Sequence, residues 1–221
     1  MGVFLQARLG STRLPRKALL PLGGTTVLQL AMRALARVEA EVHALLTEPS
    51  SLSAFAPLAR AEGFELFVGS EQDVLERFCR AAERFRVERL VRATGDNPLV
   101  SAAQVRSLLE LHEREGWQLS HYLGPPLGTG VEAVEAAALA EAGAKARDPY
   151  EREHVTPYLY RHRERFRVGE PACPAAWHLP EGRLTLDTAA DYERMRALFA
   201  ELYHGEPLES EELVNWLKER A

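Results

Sequence analysis

Val3-Phe4-Leu5-Gln6-Ala7-Arg8-Leu9-Gly10-Ser11-Thr12-Arg13-Leu14-Pro15-Arg16-Lys17 passes from a short apolar run into a polar, cationic turn. Val3 to Ala7 reads as a buried strand, and Leu9 to Arg16, rich in Gly, Ser, Thr and Pro, ends it. Leu28, Met32, Leu35 and Val38 then recur at helical spacing over 26–38. Val42 to Leu46 is a second strand, Ser51 to Glu62 a helix and Phe64 to Val68 a third strand. Ser70-Glu71-Gln72-Asp73 opens a helix in a capping-box pattern, with Val74, Leu75, Phe78 and Ala82 on its apolar face. Arg89 to Ala93 is a fourth strand, stopped by Gly95-Asp96-Asn97-Pro98, and Ser101 with Gln104 caps a helix to about Glu115. A short strand follows at Leu119 to His121. Such alternation predicts an α/β fold, a mostly parallel sheet flanked by helices, which places ligands at the carboxyl ends of its strands.

Beyond residue 122 the pattern loosens. Tyr122 to Gly130 is a Gly/Pro loop, Val131 to Glu135 a strand, and 136–146 and 150–163 helices. Arg183 to Leu186 reads as a last strand ending in Asp187, Thr188 caps a helix to about Leu202, and Ser210 caps a final one.

With 221 residues, of which 46% are hydrophobic and 27% charged, the chain suits one globular domain over 1–221. A net charge of −5 with no long basic run argues against nucleic acid and anionic membrane as partners. No apolar stretch reaches the roughly 20 residues that span a bilayer, and the N-terminal order of charges is wrong for a signal peptide, so a cytoplasmic protein is expected. Cys79 and Cys173 lie far apart with no His at metal spacing and read as reduced thiols. Arg and Glu are the default charges; only Lys17, Lys145 and Lys218 are lysines and only Asp73, Asp96, Asp148, Asp187 and Asp191 aspartates.

Four segments carry chemistry. Arg8, Arg13, Arg16 and Lys17 place four cations within ten residues of a Gly-containing turn, a cradle for phosphate oxygens or equally a solvated basic loop. Arg92-Ala93-Thr94-Gly95-Asp96-Asn97-Pro98-Leu99 puts an aspartate just past a strand, where Mg2+ is held against phosphate or where a plain polar turn sits. Arg183 to Asp187 repeats that arrangement. In Tyr150-Glu151-Arg152-Glu153-His154-Val155-Thr156-Pro157-Tyr158, Glu153 and His154 resemble acid/base or anion-binding residues, although a lone His on an amphipathic helix also suits a packed surface. Walker A, G-x-G-x-x-G, H-E-x-x-H and G-x-S-x-G patterns are absent from the sequence.

Taken together, the chain resembles the cytidylyltransferase family of cell-surface sugar biosynthesis, particularly its spore-coat polysaccharide branch and more distantly the acylneuraminate and 3-deoxy-manno-octulosonate cytidylyltransferases. The resemblance rests on Gln6-Ala7-Arg8 through Arg13-Leu14-Pro15 and Lys17, Gly69-Ser70-Glu71 with Asp73 through Phe78, Arg92 through Leu99, Glu151 through Tyr158, and Arg183 through Asp187 with Asp191. It implies a nucleotide-diphospho-sugar transferase fold and the transfer of CMP from CTP to a sugar or sugar acid, with Mg2+ and release of pyrophosphate. On the matching positions, Gln6, Ala7, Arg8, Gly10, Ser11, Arg13, Lys17, Thr94 and Gly95 would surround the nucleotide. Asp96 and Asp187 would hold the metal, Glu132, Arg152, Glu153 and His154 would face the sugar, and Arg8, Arg13, Lys17 and Asp96 would carry the chemistry. Lys17, the only lysine in the first 144 residues, suits a compact ammonium on phosphate. Where the branch carries an acidic residue before the Glu matching Glu132, this chain has Gly128-Thr129-Gly130-Val131.

The implied reaction is in-line attack of a sugar hydroxyl on the α-phosphorus, with the protein positioning reactants and neutralising charge. No general base stands out; the metal would lower the hydroxyl's pKa. A glycosyltransferase of similar fold is expected to show a D-x-D triplet, which is missing, and a silent binding subunit is expected to have lost Lys17 or a metal Asp, which are present. Relatives are often dimers, and 122–180 is the segment expected at the sugar site or a partner contact.

Overall fold

The computed structural model describes residues 1–220. In chain order the elements begin β1 (Gly2–Gln6), β2 (Pro21–Leu22), β3 (Thr25–Thr26), α1 (Val27–Leu35), β4 (Val42–Thr47), α2 (Leu52–Ala61), β5 (Glu65–Val68), α3 (Val74–Phe85) and β6 (Arg89–Thr94). They continue with α4 (Ala102–Glu115), β7 (Leu119–Ser120), β8 (Glu132–Glu135), α5 (Ala136–Lys145), α6 (Pro149–His154), α7 (Pro157–Arg161), β9 (Val168–Gly169), α8 (Ala189–Leu202) and α9 (Ser210–Lys218).

Seven strands form one sheet in the order β5-β4-β1-β6-β8-β7-β9. β5, β4, β1 and β6 run parallel, and β8 is inserted antiparallel between β6 and β7. From β1 the chain winds outward through β4 and β5, then returns to β1's other side as β6. The crevice beyond the carboxyl ends of β1 and β6 is therefore the switch point at which such sheets bind ligands. Period-2 alternation explains the two faces: Val3 and Leu5 pack with Leu28, Met32, Leu35 and Phe55, while Phe4 packs on the other face with Leu75, Phe78 and Leu139. A third cluster joins Leu22 and Val27 to Leu184, Leu186, Leu198 and Trp216. It docks the C-terminal helices beside the β2–β3 hairpin and so brings Asp187 toward Lys17.

The structure corrects several expectations. Arg183 to Leu186 is not a sheet strand: it makes a single bridge through Arg183 to Leu127, and its alternating Leu184 and Leu186 are buried in the third cluster instead of in a ladder. The expected helix over 150–163 is two, α6 and α7, divided at Val155 with φ 77°. Pro157 supplies no N–H to continue the first helix. A β-branched residue in this region costs of order 1–3 kcal/mol, and the break delivers Thr156 to Glu132, to which it donates at 2.9 Å. Asp73, not Ser70, caps α3 by accepting from Glu76 N at 2.9 Å, while Ser70 Oγ accepts from Asp73 N. Glu209, not Ser210, caps α9 through a reciprocal box with Glu212. Ser101 and Thr188 cap α4 and α8 as expected.

Candidate active site

The residues that end β1 and β6 touch through backbone. Gly95 N donates to Gln6 O at 2.7 Å, and a Cβ at Gly95 would lie 2.8 Å from both Ala7 Cβ and Leu28 Cδ1, so only glycine permits this approach. Asn97 builds the turn that follows by accepting from Leu99 N at 3.2 Å. On the β1 side, Thr47 Oγ1 donates to Ala7 O and Leu9 N donates to Ser51 Oγ, both at 2.9 Å, tethering the cationic loop.

These two turns wall a cavity of about 490 Å³. Gln6, Ala7, Arg8, Gly10, Ser11, Arg13 and Lys17 line it from the first, Thr94, Gly95 and Asp96 from the second, and Glu153 and His154 from α6. Lys17 Nζ sits between the two expected metal ligands, 2.5 Å from Asp96 Oδ2 and 3.0 Å from Asp187 Oδ1, and donates to Leu186 O at 3.0 Å. Burial works to lower the Lys17 pKa, but the charges of Asp96 and Asp187 outweigh it and hold the ammonium above the usual lysine value. Asp187 also faces Arg13 at 3.2 Å and Arg183 at 3.6 Å. Arg8 pairs with Glu153 at 3.3 Å, and the His154 ring lies on Tyr150 at 4.3 Å between centroids.

Glu132 lines an adjoining cavity of about 450 Å³ that shares Arg92 and Thr94 with the first. Its carboxylate is already occupied, accepting from Thr156 Oγ1, from Tyr160 Oη at 2.8 Å and from Arg92 Nη1 at 2.6 Å. Two arginines on the walls of the first cavity had no assigned role: Arg92, and Arg77, which is 2% exposed and donates to Ser70 O. A charged residue on the apolar stripe Val74, Leu75, Phe78 was the available signal for Arg77. Among the described residues, the buried side-chain polar atoms without a partner are Gln6 Oε1, Arg92 Nε and Thr185 Oγ1. Two of the three belong to residues on the wall of this cavity, as fits a polar ligand.

Arg152 is not brought to either cavity. Its guanidinium holds the Asp73 carboxylate, with Nε at 2.8 Å, and the Gly143 carbonyl at 2.6 Å, tying α6 to the start of α3 and the end of α5. Asp73→Ala removes a cap worth about 1 kcal/mol and strands a half-buried guanidinium at about another 1 kcal/mol. The expected loss is about 2 kcal/mol, a fall of roughly 4–8 °C in Tm. Arg152→Ala should destabilise comparably while leaving the acceptor KM unchanged. A tenfold higher KM with an unaltered melt would return Arg152 to the substrate.

Among the described residues there is no cluster of three or more His, Cys, Asp or Glu able to enclose a metal, and no helix is long and apolar enough to cross a membrane. Asp96 and Asp187 are a two-carboxylate set, a donor chemistry that suits Mg2+ when substrate phosphates and water complete its shell.

The chain is 33% identical to the spore coat polysaccharide biosynthesis protein SpsF of Bacillus subtilis (strain 168), over 97% of this chain and 92% of that one. It superposes on a cytidylyltransferase from Leptospira borgpetersenii serovar Hardjo-bovis at TM-score 0.88 and 28% identity, covering 99% of this chain and 94% of that one. A CMP:2-keto-3-deoxy-manno-octonic acid synthetase complexed with CTP shares the fold at TM-score 0.67 and 17% identity, over 90% and 98% of the two chains. A family model described as cytidylyltransferase matches residues 3–219, a span that holds both turns, Lys17 and the two aspartates. The chain belongs to the cytidylyltransferase family, and is a nucleotidyltransferase.

Proposed function

We propose that the protein transfers CMP from CTP to a hydroxyl of a sugar or sugar acid, releasing pyrophosphate, for a cell-surface polysaccharide. The observation that carries this reading is the convergence of Arg8, Arg13, Lys17 and Asp96 on one cleft at the switch point of the sheet, with Asp187 joined to it through its contacts with Lys17 and Arg13. The names of the Bacillus relative and of the CTP-bound synthetase support the nucleotide and the product class. Gln6, Ala7 and Arg8 border the cytidine, and Gly10 and Ser11 offer backbone N–H groups to the phosphates. Arg13 and Lys17 neutralise the charge that gathers on the departing pyrophosphate. Asp96 and Asp187 hold Mg2+, which when bound supplies further neutralisation of the phosphates. In the same reading the protein acts in the cytoplasm and pairs as a homodimer through 122–180, where Leu123 and Leu127 are about half exposed.

Pyrophosphate release from CTP, ATP, GTP or UTP against a panel of neutral, amino, phosphorylated and acidic sugars tests the reading. The expected result is release that requires CTP and one acceptor class together. Release independent of acceptor, or faster with UTP than with CTP, would overturn it.

A further inference from the structure

The Tyr160 hydroxyl lies 2.8 Å from Glu132 Oε1 and 2.8 Å from His121 Nδ1. A carboxylate only accepts, so the single phenolic proton goes to Glu132 and the phenol oxygen is left to accept from His121. Burial, reinforced by the Glu132 charge, pushes the Tyr160 pKa far up and keeps that proton in place. His121 therefore carries its hydrogen on Nδ1, and in the neutral ring Nε2 has a free lone pair. Nε2 lies 4.0 Å from Glu170 Oε1, and Glu170 is kept ionised by Arg163 at 2.7 Å. The ring stands edge-on to Tyr160 and lines the cavity that shares Arg92 and Thr94 with the nucleotide cleft.

This arrangement has the parts of an oriented base: a fixed tautomer, a lone pair beside a cavity, and a carboxylate placed to meet the ring once it is charged.

Resting on the CMP-transfer reading above, we propose that His121 is the general base that takes the proton of the acceptor hydroxyl, held in its tautomer by Tyr160 and Glu132. The acceptor O–H bond breaks with its proton passing to Nε2, and the oxygen forms its bond to the α-phosphorus. The bond from the α-phosphorus to the bridging oxygen breaks, and pyrophosphate leaves with that electron pair. The imidazolium meets Glu170 and then returns its proton to water.

The test is the pH dependence of kcat, read by pyrophosphate release, with CTP affinity and thermal melting measured alongside. His121→Gln keeps a polar group beside Tyr160 but cannot take up the proton; turnover should fall about 10²- to 10⁴-fold, with CTP affinity within twofold of wild type and the acid limb of the profile lost. Glu170→Gln removes the carboxylate that meets the charged ring, so turnover should fall at least tenfold with CTP affinity unchanged. This second variant keeps the idea exposed should His121→Gln fail to fold. His121→Gln or Glu170→Gln turning over within threefold of wild type would overturn the assignment. Wild-type protein that shows no CTP-dependent release with any acceptor overturns the CMP-transfer reading itself, and His121 with it.

Discussion

Lys17→Met is expected to weaken CTP binding by roughly 10- to 100-fold, the equivalent of one charge-assisted phosphate contact of about 1.5–3 kcal/mol. Methionine keeps the stem that reaches from the 3-10 turn at Lys17–Leu19 into the cleft, so the change isolates the ammonium. Calorimetric titration of CTP measures it. Arg13→Ala should cost less, because Arg13 is two-thirds exposed and reaches only Asp187, whereas Lys17 is largely buried between both aspartates. The same geometry gives a second readout in the absence of nucleotide. With the ammonium gone, Asp96 and Asp187 face each other without their shared cation, and Mn2+ alone should bind Lys17→Met more tightly than wild type, as titrated by electron paramagnetic resonance. Unchanged CTP affinity in both the Lys17 and Arg13 variants would return residues 8–17 to a solvated basic loop.

What the residues announce about this site, and what they conceal, follows from how local each signal is. The caps of α4 and α8 lie within four residues of the helices they start, and the apolar alternation of β1 is satisfied by two faces of one sheet. The scarcity of lysine and aspartate against an Arg/Glu background pointed to Lys17, Asp96 and Asp187, and the fold joins all three although Lys17 and Asp187 are 170 positions apart. Arg152 could not be placed the same way, because its partner Asp73 lies 79 positions away on another helix and nothing nearby in sequence marks the pairing. Strand direction carries no periodicity, so the antiparallel insertion of β8 was invisible, and the two-residue strands β2, β3 and β9 are at the lower limit of any pattern, whereas β7 falls where the short strand at Leu119 to His121 is expected. Leu184 and Leu186 alternate as a strand would, yet the burial they satisfy is supplied by α8 and α9. His121, Tyr160 and Glu132 come from three separate segments and meet only in the folded chain.

Asp96→Asn and Asp187→Asn are each expected to reduce Mg2+-dependent turnover at least 100-fold, with the melting temperature within about 3 °C of wild type, a change of roughly 1 kcal/mol. Asparagine keeps the size of the side chain and removes one charge from a pair that would hold a divalent cation against phosphate. Asp187 also reads as a helix-start residue, and the structure relieves it of that duty: Thr188 Oγ1 accepts from Asp191 N at 3.1 Å, and Asp191 Oδ2 accepts from the N–H groups of both Asp187 and Thr188. Its carboxylate is left to Lys17, Arg13 and Arg183, three cations on one anion. If the two aspartates act as a unit, the double variant should be scarcely slower than either single one, because a site already without its metal has little more to lose. Multiplicative losses would mean independent roles, and full activity in Asp96→Asn would remove the metal pair altogether. A collapse of turnover accompanied by a fall in Tm of 10 °C or more would mean instead that the two carboxylates, bridged by Lys17, serve to pin the β1 and β6 turns to the C-terminal helices.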